Sequence, residues 1–111
     1  MEKKHRLSGE KTFQTIFRTG RRVDTPFFSF VVRANSLSHV RFASIISKKT
    51  AKSAVLRNRI RRRIRGWVSE HPRLESIPLD LVVSVKKNAV DASRRKFYEE
   101  LAKGTRPFLG S

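Results

Sequence analysis

The spacing of hydrophobic residues along the chain predicts a helix first and strands after it. Phe13, Ile16 and Phe17 lie at positions i, i+3 and i+4, which places them on one side of a helix over about residues 9–19. Gly20 follows directly and is well placed to end that helix.

The next region is rich in aromatic and β-branched residues, which favour strands. We predict a short strand at residues 21–25, a longer strand over 27–33 and another over 40–46. The turn-forming segment 35–38, Asn-Ser-Leu-Ser, separates the two longer strands. We therefore expect these two strands to pair as an antiparallel hairpin.

Residues 50–69 contain no proline and repeat hydrophobic residues at helical spacing. The apolar positions are Leu56, Ile60, Ile64, Trp67 and Val68. At about 100° per residue these positions form one stripe, while the opposite side is occupied mainly by arginine. One side of the predicted helix therefore packs on the sheet, and the other presents guanidinium groups.

A buried strand over residues 79–85 and a final helix over 91–103 complete the pattern, with Gly104 as the predicted stop of that helix. The element order is α-β-β-β-α-β-α. It predicts an α+β fold in one small domain, residues 1–111, with helices on one face of the sheet and the other face open to a ligand.

The charge of the chain indicates a polyanionic partner. The sequence has 26 Lys and Arg against 9 Asp and Glu, a formal net charge of +17, and residues 25–69 contain no carboxylate. Cysteine is absent, which excludes thiolate catalysis and cysteine-based zinc sites and fits a reducing compartment such as the cytoplasm. No apolar run approaches the ~18 to 20 residues that cross a bilayer, and we expect no membrane partner.

Catalytic residues are not evident in the sequence. A two-metal nuclease needs several converging carboxylates, which the basic half of the chain lacks. His5, His39 and His71 lack the spacing of a helical metal site. We therefore expect no catalytic residue, no bound metal and no cofactor in the protein itself, and we interpret the chain as a binding protein.

Two features favour RNA as the ligand. Six of the nine residues from Arg57 to Arg65 are arginine, which repel one another along a helix and bind phosphate through paired N–H groups. Phe13, Phe17 and the phenylalanines at 27, 28 and 30 offer rings on which unpaired bases stack. A solvated basic helix and ordinary core packing are the alternative interpretations, and core packing is favoured for any single phenylalanine.

One segment resembles a known family. Ser47-Lys48-Lys49, followed by Arg57-Asn58-Arg59 and the pattern x-basic-Arg-x-x-Arg, is similar to the protein subunit of bacterial ribonuclease P. The resemblance extends over nearly the whole chain and is looser after Gly66. It departs at Gly66 and Ala43, where the family often has an acidic residue and glycine, and in a spacing from Lys49 to Arg57 that is one residue longer.

The resemblance implies a mixed sheet of the ribosomal protein S5 domain 2-like type, in which the arginine-rich helix joins two parallel strands by a left-handed crossover. It also implies a function. The catalytic centre lies in a large RNA that uses Mg²⁺, and the protein assists this RNA in removing the 5′ leader from precursor tRNA. No DNA partner is expected.

The family's binding residues transfer onto matching positions. Contacts to the catalytic RNA are expected at Lys48, Lys49, Lys52, Arg57, Asn58, Arg59, Arg61, Arg62 and Arg65. The cleft for the single-stranded leader is expected at Phe13, Phe17, Phe28 and Phe30. Two other classes stay open on the residues alone: a ribosomal protein or RNA chaperone that binds structured RNA without cleavage, and a nuclease that acts without RNA.

Overall fold

The computed structural model describes residues 5–108, which form one four-stranded sheet with helices on both of its faces. The strands are β1 (Arg21–Asp24), β2 (Phe28–Ala34), β3 (Arg41–Ile45) and β4 (Leu79–Val85). The helices are α1 (Glu10–Thr19), α2 (Ala54–Ser69), α3 (Pro72–Glu75), α4 (Lys87–Val90) and α5 (Arg94–Thr105), and a 3-10 turn follows at Arg106–Phe108.

The strand order is β1-β2-β4-β3, and it corrects one sequence prediction. β2 and β3 do not form a hairpin, because β4 lies between them, antiparallel to β2 and parallel to β3. The antiparallel hairpin is β1–β2 instead, with Arg21 opposite Val32 and Asp24 opposite Ser29. β4 is buried along most of its length, which requires a central position with cover on both faces.

The α+β class and the mixed sheet are confirmed. α2 connects β3 to the parallel strand β4, as the resemblance implies. The left-handed sense of that connection stays a prediction from the resemblance.

The two faces of the sheet carry different helices, which corrects the prediction that helices cover one face. On the face that we call the core face, β2 places Phe28, Phe30 and Val32 against α2 and α5. On the opposite face, the α1 face, Val31 and Val82 pack against Ile16 of α1. Val31 lies between Phe30 and Val32 but points to the opposite face, where it is buried together with Val82, so each face needs its own cover.

Side-chain contacts set the ends of α2 and α5, and these ends differ from the predicted ones. α2 begins after Ser53, whose hydroxyl accepts a hydrogen bond from the backbone N–H of Leu56, and α5 begins in the same way after Ser93. Gly104 does not stop α5, which continues to Thr105. A Cβ at Gly104 would overlap the ring of Phe30, so glycine is required there for packing. The short helices α3 and α4 have no counterpart among the predicted elements.

Candidate nucleic-acid interface

α2 presents its arginines to solvent because its apolar stripe is anchored in the core. Ile60, Ile64, Trp67 and Val68 are buried on the core face of the sheet. The opposite side, which we call the arginine face, bears Arg57, Asn58, Arg59, Arg61, Arg62 and Arg65. Within residues 5–108, no carboxylate forms an ion pair with any arginine of α2.

Some side chains of the arginine face have partners inside the protein. Arg57 Nη1 donates hydrogen bonds to the carbonyl oxygens of Ala51 at 2.7 Å and Lys52 at 2.9 Å, which holds the loop before α2. Arg61 Nη1 donates to Asn58 Oδ1 at 3.2 Å. Asn58, Arg59 and Arg62 are exposed at the crest of the helix.

The predicted lysines lie in the segment between β3 and α2. Lys48 and Lys49 are exposed in a turn closed by the hydrogen bond from Thr50 N to Ser47 O at 3.1 Å, and Lys52 is exposed just before the N-cap of α2. The turn therefore places all three lysines near the N-terminal end of the arginine face.

A groove runs between α2 and the edge of β3. It has a volume of about 270 Å³ and is lined by Arg61 and Arg65 from α2, by Arg6, and by Ala43 and neighbouring residues. Arg6 was not among the predicted site residues. The sequence around Arg6 does not indicate that it belongs to this groove, because Arg6 is brought there by a β-bridge to Phe42, a residue far away along the chain.

The structure corrects two members of the predicted leader cleft. Phe28 and Phe30 are 0% exposed, and their rings lie on the core face, where Phe28 stacks edge-on with Phe97 at 5.1 Å between centroids. Phe13 and Phe17 lie across the sheet on the α1 face and are only partly buried. The four phenylalanines therefore do not share one cleft, because alternate residues of a strand point to opposite faces.

Phe13 and Phe17 pack against the cluster that contains Val31 and Val82, and beyond these two valines the α1 face becomes polar and partly exposed. Ser29 pairs with Ser84, which pairs with Ile45, and this row extends the face beyond Val31 and Val82. Ile45 is 39% exposed. We call this surface, with Phe13 and Phe17, the α1 cleft.

Phe17 is also held beside a cation. The guanidinium of Arg22 lies 5.9 Å from the centroid of the Phe17 ring, and Arg22 Nη2 donates to the Phe17 carbonyl oxygen at 3.0 Å. A base that stacks in the α1 cleft would therefore meet an aromatic ring and a positive charge together.

Asp80 organises the other end of the α1 face. Arg41 binds it through two hydrogen bonds, Nε to Oδ1 at 2.9 Å and Nη2 to Oδ2 at 2.7 Å, and Asn35 Nδ2 donates to Oδ1 at 3.0 Å. Burial acts to raise the pKa of Asp80, but the hydrogen bonds from Arg41 and Asn35 outweigh it, and the pKa lies below its usual value. Asp80 therefore stays ionised and aligns Arg41.

The described part of the chain holds neither a group of three or more His, Asp or Glu side chains arranged to bind a metal ion nor a helix long and apolar enough to span a membrane. His5 is buried rather than exposed, with Nδ1 2.8 Å from the Val40 carbonyl oxygen and Nε2 3.1 Å from Glu75 Oε1. These contacts attach the start of the described chain to the residue before β3 and to α3.

Comparisons with known proteins agree on one family. The model of the family described as Ribonuclease P matches residues 1–108. The ribonuclease P protein component of Aliivibrio fischeri is 35% identical over 99 residues, covering 88% of this chain and 83% of the relative. That of Vibrio cholerae is 36% identical over 98 residues, covering 88% and 82%.

Solved structures agree with the sequence relatives. A Staphylococcus aureus RNase P protein mutant with defective mRNA degradation activity superposes with a TM-score of 0.87 and 29% identity, covering 96% of this chain and 89% of that one. The Thermotoga maritima RNase P protein has the same fold, with a TM-score of 0.80, 22% identity and coverage of 88% and 92%.

Proposed function

The chain belongs to the ribonuclease P protein family, and from this premise we propose that it binds the RNA subunit of the holoenzyme through the arginine face of α2. As a member of the family it is the protein subunit of ribonuclease P, which acts in tRNA 5′ maturation. The observation that carries the proposal is the uncompensated charge of α2, with six arginines and no acid among 16 residues.

Phosphate binding explains why so many like charges are placed on one helix. Arginines that are three or four residues apart repel one another and destabilise the helix when nothing neutralises them. RNA phosphates supply the neutralising charge, and each guanidinium can donate two parallel N–H bonds to a phosphate. Lys48, Lys49 and Lys52 extend this surface at the N-terminal end of α2.

For the precursor tRNA we propose the α1 cleft as the binding site of the single-stranded leader. Phe13 and Phe17 supply ring surface, Ser29 and Ser84 supply hydroxyl groups, and Arg22 supplies a positive charge next to Phe17. Unpaired nucleotides are bound by this combination of stacking and charge in many proteins. Phe28 and Phe30 take no part.

We place the cleavage chemistry in the RNA subunit with its Mg²⁺ ions, as the family resemblance implies. The two buried carboxylates of the described chain are occupied by cations, Asp80 by Arg41 and Glu100 by Lys96 and Lys103. Their role is therefore to stabilise the fold. We also propose that the protein works in the cytoplasm, where precursor tRNA is processed in bacteria.

The test is cleavage of a precursor tRNA at low Mg²⁺ by a bacterial ribonuclease P RNA, with and without this protein, and by the protein alone. We expect correct 5′ cleavage when both subunits are present and none from the protein alone. Cleavage by the protein alone would contradict the placement of the chemistry in the RNA. Binding without stimulation of several such RNAs would favour a ribosomal protein or RNA chaperone.

A further inference from the structure

A second cationic groove lies between α2 and α5, on the opposite flank of α2 from β3. It has a volume of about 340 Å³. Its lining residues are Arg59, Arg62, Arg63, Gly66, Arg94 and Tyr98, and we call it the α2–α5 groove. The family resemblance assigned neither Arg63 nor either of the α5 residues to a binding site.

Two of its guanidinium groups are held in place by the protein. Arg63 Nη1 donates to the Ala92 carbonyl oxygen at 3.2 Å, and its guanidinium lies 5.5 Å from the centroid of the Phe97 ring. Arg94 lies 5.3 Å from the centroid of the Tyr98 ring, and its Nη2 donates to Tyr98 Oη at 3.3 Å. These contacts reduce the side-chain entropy that a ligand would otherwise have to overcome.

The groove carries positive charge on both walls. Four of its six lining residues are arginines and none is a carboxylate. Glu70 attracts Arg94 electrostatically but does not line the groove. Guanidinium groups that converge without a counterion repel one another, and a phosphate between them replaces that repulsion with charge-assisted hydrogen bonds.

The absence of a side chain at Gly66 keeps the groove open. A Cβ at this position would lie 3.6 Å from Tyr98 Oη, which is ordinary contact distance. Any longer side chain would extend into the space between α2 and the tyrosine ring.

We infer that α5 forms the second wall of the RNA-binding surface, and that a phosphodiester segment of the RNA subunit lies in the α2–α5 groove. Arg59 and Arg62 bind its phosphates from one side, Arg94 binds from the other, and Tyr98 contacts the sugar with its hydroxyl group. The inference rests on the proposed function, since it assigns a further part of the surface to the same RNA.

The chain offers a matched control for the test. Arg94 and Arg95 are adjacent on α5 and both exposed, but Arg95 does not line the groove and forms an ion pair with Glu99 at 3.3 Å. Affinity for ribonuclease P RNA is measured over a range of salt concentrations for Arg94→Gln and Arg95→Gln. We expect Arg94→Gln to weaken binding about tenfold and to reduce the salt slope by about one, and Arg95→Gln to change affinity less than about twofold.

Arg62→Gln distinguishes failure of the inference from failure of the proposed function. If Arg62→Gln weakens binding while Arg94→Gln behaves like Arg95→Gln, the assignment of α5 to the RNA-binding surface is wrong. RNA binding by the arginine face of α2 is then still supported. If neither Arg62→Gln nor Arg94→Gln has an effect, both proposals are wrong.

A second pair of variants tests the groove from α2. Gly66→Trp fills the space between α2 and the Tyr98 ring with a large uncharged side chain, and we expect about tenfold or greater loss of affinity without a lower melting temperature. Gly66→Ala adds only a methyl group and should keep affinity within about twofold, because contact with Tyr98 stays at an ordinary distance. Equal affinities for the two variants would overturn the inference.

Discussion

At the scale of single residues, the buried carboxylate of Asp80 stabilises the fold by binding Arg41 and Asn35. It is 3% exposed and receives hydrogen bonds from Arg41 and Asn35. Because these groups come from β4, β3 and the segment after β2, the carboxylate ties three distant parts of the chain together. Removing a charge from such a pair leaves its partner without compensation.

We predict that Asp80→Asn destabilises the protein by about 2–4 kcal/mol, because Arg41 loses its bidentate partner in a largely buried setting. Urea denaturation measures the free energy of unfolding. The control is Glu99→Gln, which removes an exposed ion pair with Arg95 and should cost less than about 1 kcal/mol. Equal costs for the two variants would contradict this role of Asp80.

The lowered pKa of Asp80 makes the stability of the protein depend on pH. The pKa of Asp80 is lowered in the folded protein, so its contribution is fully present above the unfolded value of about 4 and is lost as the pH falls toward the folded pKa. We expect the stability difference between the wild type and Asp80→Asn to shrink as pH falls from about 5 toward 2. A difference that stayed constant over this range would contradict the lowered pKa.

Replacing a phenylalanine of the α1 cleft and replacing one of the core should have different effects. Phe17→Ala should reduce the preference for leader-bearing over mature tRNA by about three- to tenfold, since it removes a stacking surface while the core stays intact. Phe30→Ala should instead destabilise the fold by about 3–5 kcal/mol, since the ring is fully buried. Binding assays with both tRNAs and thermal melts separate the two effects. An unchanged substrate preference for Phe17→Ala would contradict the α1 cleft.

At the scale of elements, α2 combines two requirements along one helix. Its stripe of apolar residues follows helical spacing and packs in the core, and this packing alone orients the arginine face. Arg57 and Arg63 also contact the rest of the protein, whereas Arg59 and Arg62 have no such contact among the described residues, and the proposed RNA ligand accounts for their presence. This separation between the buried stripe and the exposed charge is also visible in the sequence, and the proposed role of α2 was first inferred from it.

Substitution by alanine should change stability in opposite directions at Gly66 and Gly104, the two glycines inside helices of the described chain. Gly104→Ala should destabilise the protein by about 1–3 kcal/mol, because the added methyl group overlaps the Phe30 ring. Gly66→Ala should stabilise it by about 0.5–1 kcal/mol, because the space is open and alanine favours the helix. Thermal or urea unfolding of both variants checks the signs. Stabilisation by Gly104→Ala would contradict its close packing.

At the scale of the whole molecule, charge is separated from the core and directed outward. The net charge of +17 includes the arginine face, the lysines before it and the α2–α5 groove, which together surround α2. Binding to RNA through such a surface releases counterions from the phosphates.

We therefore predict that affinity for ribonuclease P RNA falls by about a thousandfold or more between 50 and 200 mM salt, as for about six or more phosphate contacts. Filter binding or fluorescence titration over this range gives the slope. Combining Arg59→Gln with Arg62→Gln should make the slope shallower by about two, one for each lost contact. An affinity that does not change with salt would contradict a phosphate-dominated interface.

The sequence by itself determined the local elements and indicated a polyanionic ligand. Hydrophobic periodicity and capping residues act over a few positions, so α1, β1, α2 and β4 could be located closely, and the arginines of α2 could be assigned to one exposed face. The resemblance carried by Arg57, Asn58 and Arg59 added the family. The single domain over residues 1–111 stays a prediction, because only residues 5–108 are described.

Only the tertiary structure decided which elements meet. The insertion of β4 between β2 and β3 depends on pairing between residues about 40 positions apart, such as Arg41 and Asp80, and local patterns carry no information on such contacts. That pairing and the position of α1 decide which face of β2 is open, and thus exclude Phe28 and Phe30 from the α1 cleft. Likewise, α2 and α5 pack on the same hydrophobic core, and this packing places Arg62 and Arg94 in the lining of one groove.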